Sequence, residues 1–406
     1  MVRLISSVEL KKLNEDSKIA FWGEGYIAAK TFEKTGVIPF FMLDNNPDIT
    51  GEKQFGVTIK KPSQDNIFAC DAILITSTSI KEIADQIKQT GYDPAKIFVT
   101  PVLKNVYEIQ IFENQSFNLL FSSGLQTDLG IQKIGGGGLY RIEGSFDEFE
   151  LKKILNGSTH GIIIKENSII CVNEKLGICI LDKNLNLVEN HIIPKGFRAH
   201  GIDFCENTKK WVLACAHLDG ILILDEKFKP YKEVIFSNQK SFYDNIAQHH
   251  CNDVCVLNKQ AYVSMFSLTG AYKRGIYDGG VLIFDLETGE KIDSLYGNLL
   301  MPHNIIFKEN HFWILDSLRG KVLQGNQNEI TILPSFTRGF EILQNGNLLI
   351  GQSKNRNFSL LKNDKKHISL DTSIVVHDRK TSISKSLHLP SSVSEIHSIV
   401  DINKIQ

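Results

Sequence analysis

The sequence predicts two folds in one chain: an α/β, Rossmann-like domain over residues 1–110, and an all-β, six-bladed β-propeller over residues 116–406 that its C-terminal strand closes. Three observations predict this. Strand-like and helix-like segments alternate up to about residue 105, helical periodicity almost vanishes after about residue 116, and six similar segments then recur along the chain. The 406 residues also exceed the length of one small fold.

The composition excludes several classes of protein. Hydrophobic residues make up 42% of the chain and charged residues 22%, which is typical of a folded globular protein rather than a disordered one. Because 45 basic residues balance 46 acidic ones, we expect no nucleic-acid partner. No apolar run approaches the ~20 residues of a membrane helix, and the N-terminus lacks a signal-peptide core, so we predict a cytoplasmic protein without a membrane span.

The seven cysteines predict buried thiols rather than disulfides. Their number is odd, most lie in strand-like apolar runs, and none forms a C-x-x-C motif. For Cys251 and Cys255, metal binding is the alternative to structural packing.

The first domain is predicted from four strand-like segments and two helix-like ones. The strands cover residues 18–22, 37–43, 72–76 and 97–99, and the helices cover residues 27–35 and 80–90. This alternation predicts a parallel sheet with crossover helices.

A glycine-rich turn follows the first of these strands and opens a helix. Gly23, Gly25 and Ala28 give the G-x-G-x-x-A form of the dinucleotide fingerprint, and Asp44 ends the next strand. Gly23 allows the tight turn, Gly25 lets the backbone approach a pyrophosphate, and Asp44 bonds a ribose diol. Because about 100 residues are too few for both halves of a dinucleotide fold, NAD, a mononucleotide, a nucleotide-sugar and no ligand at all stay open.

The propeller is predicted from six segments in which a polar pair runs into a β-branched strand. Their polar residues recur every 35 to 59 residues, near the ~40–50 residues of a propeller blade, and are His160, His200, Asn252, His303, Arg338 and His397. Residues 117–155 supply three strands without such a segment, whereas the His397 segment ends the chain. We therefore expect the last strand to complete the first blade, which removes exposed sheet edges.

The inner strands of a propeller line its channel, so the six polar residues are predicted to form a ring, with His249, His250 and Asp253 beside it. The histidines His160, His200, His303 and His397 are candidate ligands of a divalent metal, because neutral imidazole suits such ions. Two alternatives stay open: each ring bonds a neighbouring blade as a structural device, or the rings contact substrate as acids and bases.

The loops around the same mouth carry a second polar layer. It comprises Asn173, Glu174, His217, Asp219, residues 272–274, Asp316, Arg319, Lys354 and Arg356. Arginine and lysine at a pore clamp carboxylate or phosphate, so the layer predicts a small polar or anionic substrate. The long segment 267–280 is interpreted as a lid or as a plain flexible loop.

Two resemblances add to this interpretation. The Gly23–Ala28 turn, residues 42–47, Gly56-Val57 and Lys61-Pro62 resemble small Rossmann-like domains of bacterial surface-glycan acyltransferases and methyltransferases, which bind nucleotide-sugars or act as adaptors. Residues 249–253, 279–281, 301–303 and 313–317 are similar to a bacterial propeller-like family of unknown function. More distantly, the His-Gly-Ile strands at His160 and His200 resemble six-bladed lyases whose channel residues hold a divalent metal or the substrate.

The leading hypothesis is a metal-dependent lyase or isomerase acting on a small polar, sugar-like or nucleotide-sugar-linked substrate, in bacterial surface-glycan metabolism. His200, His303 and His397 hold the metal, which polarises a substrate oxygen, and His160 is a fourth ligand or a base. His250 or Asp253 moves a proton, and Arg338 with Arg319 binds a substrate anion. The alternatives are a non-catalytic glycan- or protein-recognition module whose first domain reads a nucleotide-sugar, and an NAD-dependent redox enzyme.

Overall fold

A computed structural model describes residues 2–124, 127–128, 131–132, 136–237, 248–361 and 367–405. The chain divides into two compact units, Met1–Gln115 and Ser116–Gln406. Among the described residues, no helix is both long and apolar enough to cross a membrane. All seven cysteines are buried and free.

The first unit contains a seven-stranded sheet and five α-helices. Its strands are β1 (Arg3–Leu4), β2 (Ile19–Trp22), β3 (Phe41–Leu43), β4 (Lys53–Gln54), β5 (Val57–Lys60), β6 (Ala72–Ile75) and β7 (Ile97–Val99). Its helices are α1 (Ser7–Asp16), α2 (Tyr26–Thr35), α3 (Gln64–Phe68), α4 (Ile80–Gln89) and α5 (Lys104–Glu113). The strand order is β1-β7-β6-β2-β3-β5-β4, and only the β4–β5 pair is antiparallel.

The central strands of this sheet are buried on both faces. Every residue of β2 and of β6 is buried, which is why both read as continuous apolar runs in the sequence. Helix α4 covers one face with residues that recur every three or four positions, namely Ile80, Ile83, Ala84 and Ile87. A capping box at Ser6 and Glu9 starts α1.

The sheet of the first unit is mixed, whereas the sequence predicted an all-parallel sheet of four strands. The predicted segments hold β2, β3, β6 and β7. Strands β1, β4 and β5 were missed because they have only two to four residues each and lie toward the edges of the sheet, where most of their side chains are half-buried or exposed. Such strands lack the apolar run by which a buried strand is recognised.

The second unit is a six-bladed β-propeller, as predicted. Five blades are four-stranded antiparallel sheets of consecutive strands. Blade 2 holds β13 (Thr159–Lys165), β14 (Ser168–Asn173), β15 (Gly177–Leu181) and β16 (Leu187–His191), and blade 3 holds β17 (Ala199–Cys205), β18 (Lys210–Cys215), β19 (Gly220–Leu224) and β20 (Pro230–Ile235). Blade 4 holds β21 (Cys251–Leu257), β22 (Gln260–Met265), β23 (Gly279–Asp285) and β24 (Lys291–Leu299). Blade 5 holds β25 (His303–Lys308), β26 (His311–Asp316), β27 (Lys321–Gln324) and β28 (Asn328–Ile332), and blade 6 holds β29 (Phe336–Ile342), β30 (Leu348–Ser353), β31 (Ser373–His377) and β32 (Ser384–His388).

Blade 1 joins the two ends of the propeller. It consists of β8 (Ser116–Ser123), β11 (Gly138–Ser145), β12 (Phe149–Asn156) and the C-terminal strand β33 (Ser398–Asp401), which pairs antiparallel with β8. A separate two-stranded ribbon consists of β9 (Thr127–Asp128) and β10 (Ile131–Gln132). Apolar clusters fill the spaces between neighbouring blades, such as the one that Val212, Ile223, Val254 and Val263 share between blades 3 and 4. This packing holds the inner strands β33, β13, β17, β21, β25 and β29 around one axis.

Among the described residues, short 3-10 helices occur at seven positions. They are Pro47–Ile49, Pro94–Lys96, Pro101–Leu103, Tyr272–Arg274, Ser317–Arg319, Phe358–Leu361 and Ile402–Lys404.

Candidate functional site

A β-bulge recurs near the start of five inner strands. The register shifts between Thr159 and Ile162, Ala199 and Gly201, Cys251 and Asp253, His303 and Ile306, and Thr337 and Phe340. His160, His200, Asn252 and Arg338 lie inside these bulges, and His303 lies immediately before one. A bulge leaves a residue out of the ladder and re-aims its side chain, which explains how polar residues on buried strands reach the axis.

Glycine after two of the histidines allows the inner strands to approach each other. A Cβ atom at Gly161 would lie 2.8 Å from the carbonyl oxygen of His200, and one at Gly201 would lie 2.5 Å from Oδ1 of Asp253. Any larger residue would push the strands apart. The His-Gly pairs of the sequence therefore combine a polar side chain for the channel with the space that tight closure needs.

Three histidines form a cluster on the axis. The ring of His160 stacks on that of His200 with a centroid separation of 4.4 Å and an interplanar angle of 19°, and the ring centroid of His397 also lies 4.4 Å from that of His160. His250 lies 6.4 Å from His200, between Phe266 and Tyr272. The structure thus brings together imidazoles from three blades that are separated by up to 237 residues of sequence.

His303 lies apart from this cluster, and both of its ring nitrogens are engaged. Nδ1 lies 2.9 Å from the carbonyl oxygen of Met301 and 2.9 Å from Oγ of Ser317. Nε2 accepts a hydrogen bond from Nε of Arg338 at 3.0 Å. Since Arg338 only donates, Nε2 carries the lone pair and Nδ1 the proton. No ring nitrogen of His303 is left to bind a metal ion.

Arg338 and Arg356 share a buried carboxylate. NH1 of Arg338 lies 3.4 Å from Oε1 of Glu395, and NH2 of Arg356 lies 2.9 Å from the same oxygen. Nε2 of His397 lies 3.4 Å from the other oxygen, Oε2. Although burial opposes it, the charge of Arg338 and the contact with His397 hold the pKa of Glu395 well below its usual range. Glu395 is therefore an anion that fixes both arginines at the cavity.

A second carboxylate lies on the blade 2 side of the cluster. Oε1 of Glu174 lies 3.2 Å from Nε2 of His160 and 3.6 Å from Nε of Arg198. The hydrogen bond with His160 lowers the pKa of Glu174. A carboxylate only accepts, so Nε2 of His160 carries the proton toward Glu174.

These groups surround a cavity of about 390 Å³ at the mouth of the channel, here called the mouth cavity. Its lining includes the histidines His160, His200, His217, His250 and His397, the cations Arg198, Lys273, Arg338 and Arg356, the aromatic residues Phe266, Tyr272 and Tyr277, and Glu395. Four cations face one carboxylate in this lining, and Glu174, which contacts His160 and Arg198, is not part of it. The excess of positive charge favours an anionic ligand.

Three imidazoles of the cavity, those of His200, His250 and His397, are uncharged. Burial, assisted by the charges of Arg198 and Arg338, lowers the pKa of His250 to about 3. Burial and the neighbouring ring of His160 lower the pKa of His397 to about 3 and that of His200 well below its usual value. Neutral rings have a free lone pair and therefore act as proton acceptors or metal ligands.

The arrangement does not fit a metal ion held by the four predicted histidines. Within the part of the chain that the structure describes, no three His, Cys, Asp or Glu side chains are arranged to hold a metal. His303 has no free nitrogen. The nearly parallel rings of His160 and His200 also direct their nitrogens along similar planes rather than toward one point.

Of the predicted catalytic residues, the structure places His250 and Arg338 at the mouth cavity and the other two elsewhere. Arg319 donates to the carbonyl oxygen of Asn298 and to Asp316 within a turn of blade 5, so it has a structural role there. Asp253 instead lines a narrow space at the floor of the mouth cavity and a separate cavity of about 320 Å³. Burial raises the pKa of Asp253 to about 7.

The segment 267–280, predicted as a lid or a loop, forms part of the cavity wall. Oγ of Ser267 donates to Oδ1 of Asp278 at 2.6 Å, which ties the two ends of the segment together. The 3-10 helix Tyr272–Arg274 lies between them and places Tyr272 with its ring centroid 4.7 Å from that of His250.

Two functional residues were missed by the sequence analysis. Arg198 and Glu395 stand two residues before the ring histidines His200 and His397, respectively, where the blades enter the channel. A charged residue two positions before a ring histidine was the available signal. It was overlooked because only the polar residues at the repeated position were compared.

In the first unit, the predicted nucleotide motif forms a tight turn. Gly23 and Gly25 have φ values of 110° and 117°, conformations that favour glycine, and Ala28 is buried in α2. A Cβ atom at Gly25 would meet nothing within 4 Å, so the backbone is accessible there. Oδ2 of Asp44 accepts a hydrogen bond from the backbone nitrogen of Glu24 at 2.8 Å, which ties the carboxylate to the turn.

Comparison with known families adds a classification for part of the chain. Residues 215–406 match the model of a family described as a domain of unknown function, DUF4915. This match covers every segment that carried the predicted resemblance to a propeller-like family of unknown function, although it starts at blade 3 rather than at blade 1. No curated protein is significantly similar to the chain.

The chain is also similar to solved structures of diverse description, all at low sequence identity. A chain of a nidogen/laminin complex is 11% identical, with a TM-score of 0.49, covering 70% of this chain and 97% of that one. A protein of unknown function from Bacteroides caccae is 15% identical, with a TM-score of 0.47, covering 70% and 98%. The calcium-binding protein regucalcin from Agrobacterium tumefaciens is 10% identical, with a TM-score of 0.40, covering 58% and 75%.

Proposed function

We propose that the propeller is an enzyme that binds a small, polar carboxylate, of the sugar-acid type, in the mouth cavity and transfers a proton on it as an isomerase or lyase. The observation that carries this proposal is that uncharged, buried imidazoles and a surplus of cations line the same cavity of about 390 Å³. Cations hold the carboxylate, and neutral imidazoles accept a proton next to it.

Binding is assigned to the cations that are partly exposed at the cavity. The side chains of Arg198 and Arg356 are 44% and 49% exposed, so their remaining donors are available to a ligand. Arg338 is held from two sides by His303 and Glu395 and keeps a fixed position on the floor. A carboxylate bound between such groups exchanges part of their hydration for charge-assisted hydrogen bonds.

Proton transfer is assigned to His200 and His250. Both line the cavity, and the pKa of each is lowered, so each ring is a neutral base at physiological pH. Removing a proton from the carbon beside a carboxylate or carbonyl leaves negative charge on oxygen, which the arginines stabilise. Returning the proton to another position gives isomerisation, and loss of a neighbouring hydroxyl or alkoxyl group gives elimination.

Proton exchange into a sugar acid tests this function. The protein is incubated with D-galacturonate in D₂O, and loss of the carbon-bound proton beside the carboxylate is followed by proton NMR. We expect exchange by the native chain and by Lys227→Gln, an exposed control in a turn of blade 3. We expect at least a tenfold slower exchange by His200→Gln and His250→Gln.

The same experiment separates an enzyme from a recognition module. Isothermal titration calorimetry with D-galacturonate, and with uncharged D-galactose as a control, measures binding independently of exchange. Saturable binding that Arg356→Gln weakens, without any exchange in the native chain, would favour the recognition module. Absence of both binding and exchange would reject the carboxylate proposal.

For the first unit we propose a Rossmann-like fold that binds a nucleotide or nucleotide-sugar. Two observations support it. Numbered along the chain, the five consecutive parallel strands β7-β6-β2-β3-β5 have the order 5-4-1-2-3, which is the 3-2-1-4-5 order of doubly wound nucleotide folds. The accessible backbone at Gly25 also precedes the N-terminus of α2. Calorimetry with UDP-N-acetylglucosamine and with NAD tests this proposal, and failure of both ligands to bind would contradict it.

A further inference from the structure

A second, much smaller cavity lies at the floor of the mouth cavity. Its volume is about 20 Å³, and the ring residues His160, His200, Asn252 and His397 contribute to its lining. A buried water needs roughly 10–15 Å³ of such space and two to four polar partners. The floor cavity therefore has the size of a single water molecule.

Asn252 contributes an amide nitrogen without a protein partner. Oγ of Ser264 donates to Oδ1 of Asn252 at 2.8 Å, which fixes the orientation of the side-chain amide. Nδ2 of Asn252 then has to donate elsewhere, yet this buried atom has no hydrogen-bond acceptor among the described residues. A buried donor left in this state is costly, so it points to a bound acceptor.

Ring nitrogens of His160, His200 and His397 at the same cavity have no hydrogen-bond partner among the described residues, although Nε2 of His397 lies 3.4 Å from Oε2 of Glu395. Because Nε2 of His160 bonds Glu174, the lone pair of this ring is on Nδ1. Nδ1 of His160 and Nε2 of His200 are both buried, and neither has a partner within the described part of the protein. One donor and two candidate acceptors therefore belong to residues that line a space of one-water size.

We propose that the floor cavity binds one ordered water molecule, which accepts a hydrogen bond from Nδ2 of Asn252 and donates to Nδ1 of His160 and Nε2 of His200. Water matches this set because it has two donors and two acceptors. A cation does not match it, since the amide N–H groups of Asn252 would face the positive charge. The same nitrogens that suggested a metal in the sequence are thus assigned to a hydrated imidazole pair.

The water has a role in the proposed reaction. His200 lines both the floor cavity and the mouth cavity. Nε2 holds the only lone pair of neutral His200, so once Nε2 has taken up a proton the water turns to accept from Nε2 and to donate to Nδ1 of His160. Transfer of one proton along this chain then neutralises His200 and leaves the charge on His160, whose ring is bonded to the carboxylate of Glu174. This role rests on the proposed function, whereas the water site itself stands on the geometry alone.

Selective ¹⁵N-asparagine labelling of the full chain provides the test. We expect a magnetisation-transfer cross-peak between bulk-exchanging water and the side-chain NH₂ of Asn252, with the sign of a long-lived bound water. A crystal structure should place a single oxygen-sized peak within hydrogen-bond distance of the three atoms, without anomalous scattering. In His200→Phe, an aromatic ring still stacks on His160, but the acceptor Nε2 of His200 is lost. We expect this variant to show a weaker cross-peak.

A dry floor cavity, or an anomalous peak that identifies a metal ion, would overturn the inference. Circular dichroism checks that His200→Phe is folded. If that variant is unstable, the cross-peak and the crystal structure of the native protein decide the test. A bound water in a protein that exchanges no proton on D-galacturonate would reject the proposed reaction and leave the water site standing. Proton exchange on D-galacturonate without a bound water would support the proposed reaction and reject the water site.

Discussion

The Nε atom of Arg338 donates a hydrogen bond to Nε2 of His303 at 3.0 Å, so a histidine of one blade positions the arginine of the next. The proton of His303 is on Nδ1, where Met301 and Ser317 hold it. Arg338 in turn lies beside Glu395. His303 is therefore a positioning residue for a buried cation rather than a metal ligand.

Replacing His303 tests this positioning role. In His303→Leu the buried Arg338 loses its acceptor, and we expect the free energy of unfolding to fall by about 1–3 kcal/mol. His303→Gln offers an amide oxygen near the position of Nε2 and should recover part of that loss, together with the affinity for D-galacturonate. Urea denaturation and calorimetry measure both quantities. Equal losses in the two variants would contradict an acceptor role for His303.

The buried imidazoles predict acid sensitivity of the fold. Burial, the first cause in each case, lowers the pKa of His250 and His397 to about 3 and moves the pKa of His200 and His303 well below normal. An unfolded imidazole has a pKa of about 6.5, so the unfolded chain binds more protons below that pH. Each group then lowers the free energy of unfolding by about 1.4 kcal/mol per pH unit as the pH falls.

Three carboxyl groups with a raised pKa, those of Asp203, Asp253 and Asp316, oppose this trend over part of the range. Burial raises the pKa of Asp203 to about 6 and that of Asp253 to about 7, so the folded state keeps protons that the unfolded chain releases between about pH 4 and pH 7. Burial also lowers the pKa of His377, so five imidazoles outweigh three carboxyls, and we expect stability to fall below pH 6.5 and to fall more steeply below about pH 4. Urea midpoints measured from pH 7.5 to pH 3.5 test this, and a rise in stability on acidification would contradict it.

Binding of an anion should be linked to proton uptake. The charges of Arg198 and Arg338 contribute to the lowered pKa of His250, and an anion between them would offset those charges. The pKa of the ring should therefore rise from about 3 on binding, and affinity should increase as the pH falls toward this raised pKa. Calorimetry in buffers with different ionisation enthalpies reports the uptake. Proton release, or affinity independent of pH, would contradict the coupling.

Close packing of the inner strands predicts that Gly201→Ala is destabilising. The new Cβ atom would lie 2.5 Å from Oδ1 and 2.7 Å from Cα of Asp253, so blades 3 and 4 would have to separate. We expect a loss of about 1–3 kcal/mol, typical of overpacking. Gly297→Ala is the matched control, because its Cβ atom would meet only Cδ1 of Leu268, at 4.0 Å. Denaturation midpoints that shift equally in both variants would contradict this account of the His-Gly pairs.

The propeller and the convergence of its ring residues were predictable because rotational symmetry turns a repeated sequence position into a shared location. The roles of the individual ring residues were not predictable, because they depend on individual contacts. His303 bonds Arg338, whereas His160 and His200 stack on each other. Glu395 was missed since it precedes the last strand in a segment without a regular pattern. In the first unit, the edge strands were missed because residues such as Lys53 and Gln54 give no apolar periodicity.

The imidazole titration of ¹⁵N-histidine-labelled protein, with and without D-galacturonate, tests the central claim most directly. We predict that the ring signals of His200, His250 and His397 stay in the neutral form down to about pH 4, and that adding the sugar acid at pH 6 shifts all three and raises their pKa. Rings that titrate near pH 6.5 and do not respond to the sugar acid would contradict a site in which neutral imidazoles and a bound carboxylate share one cavity.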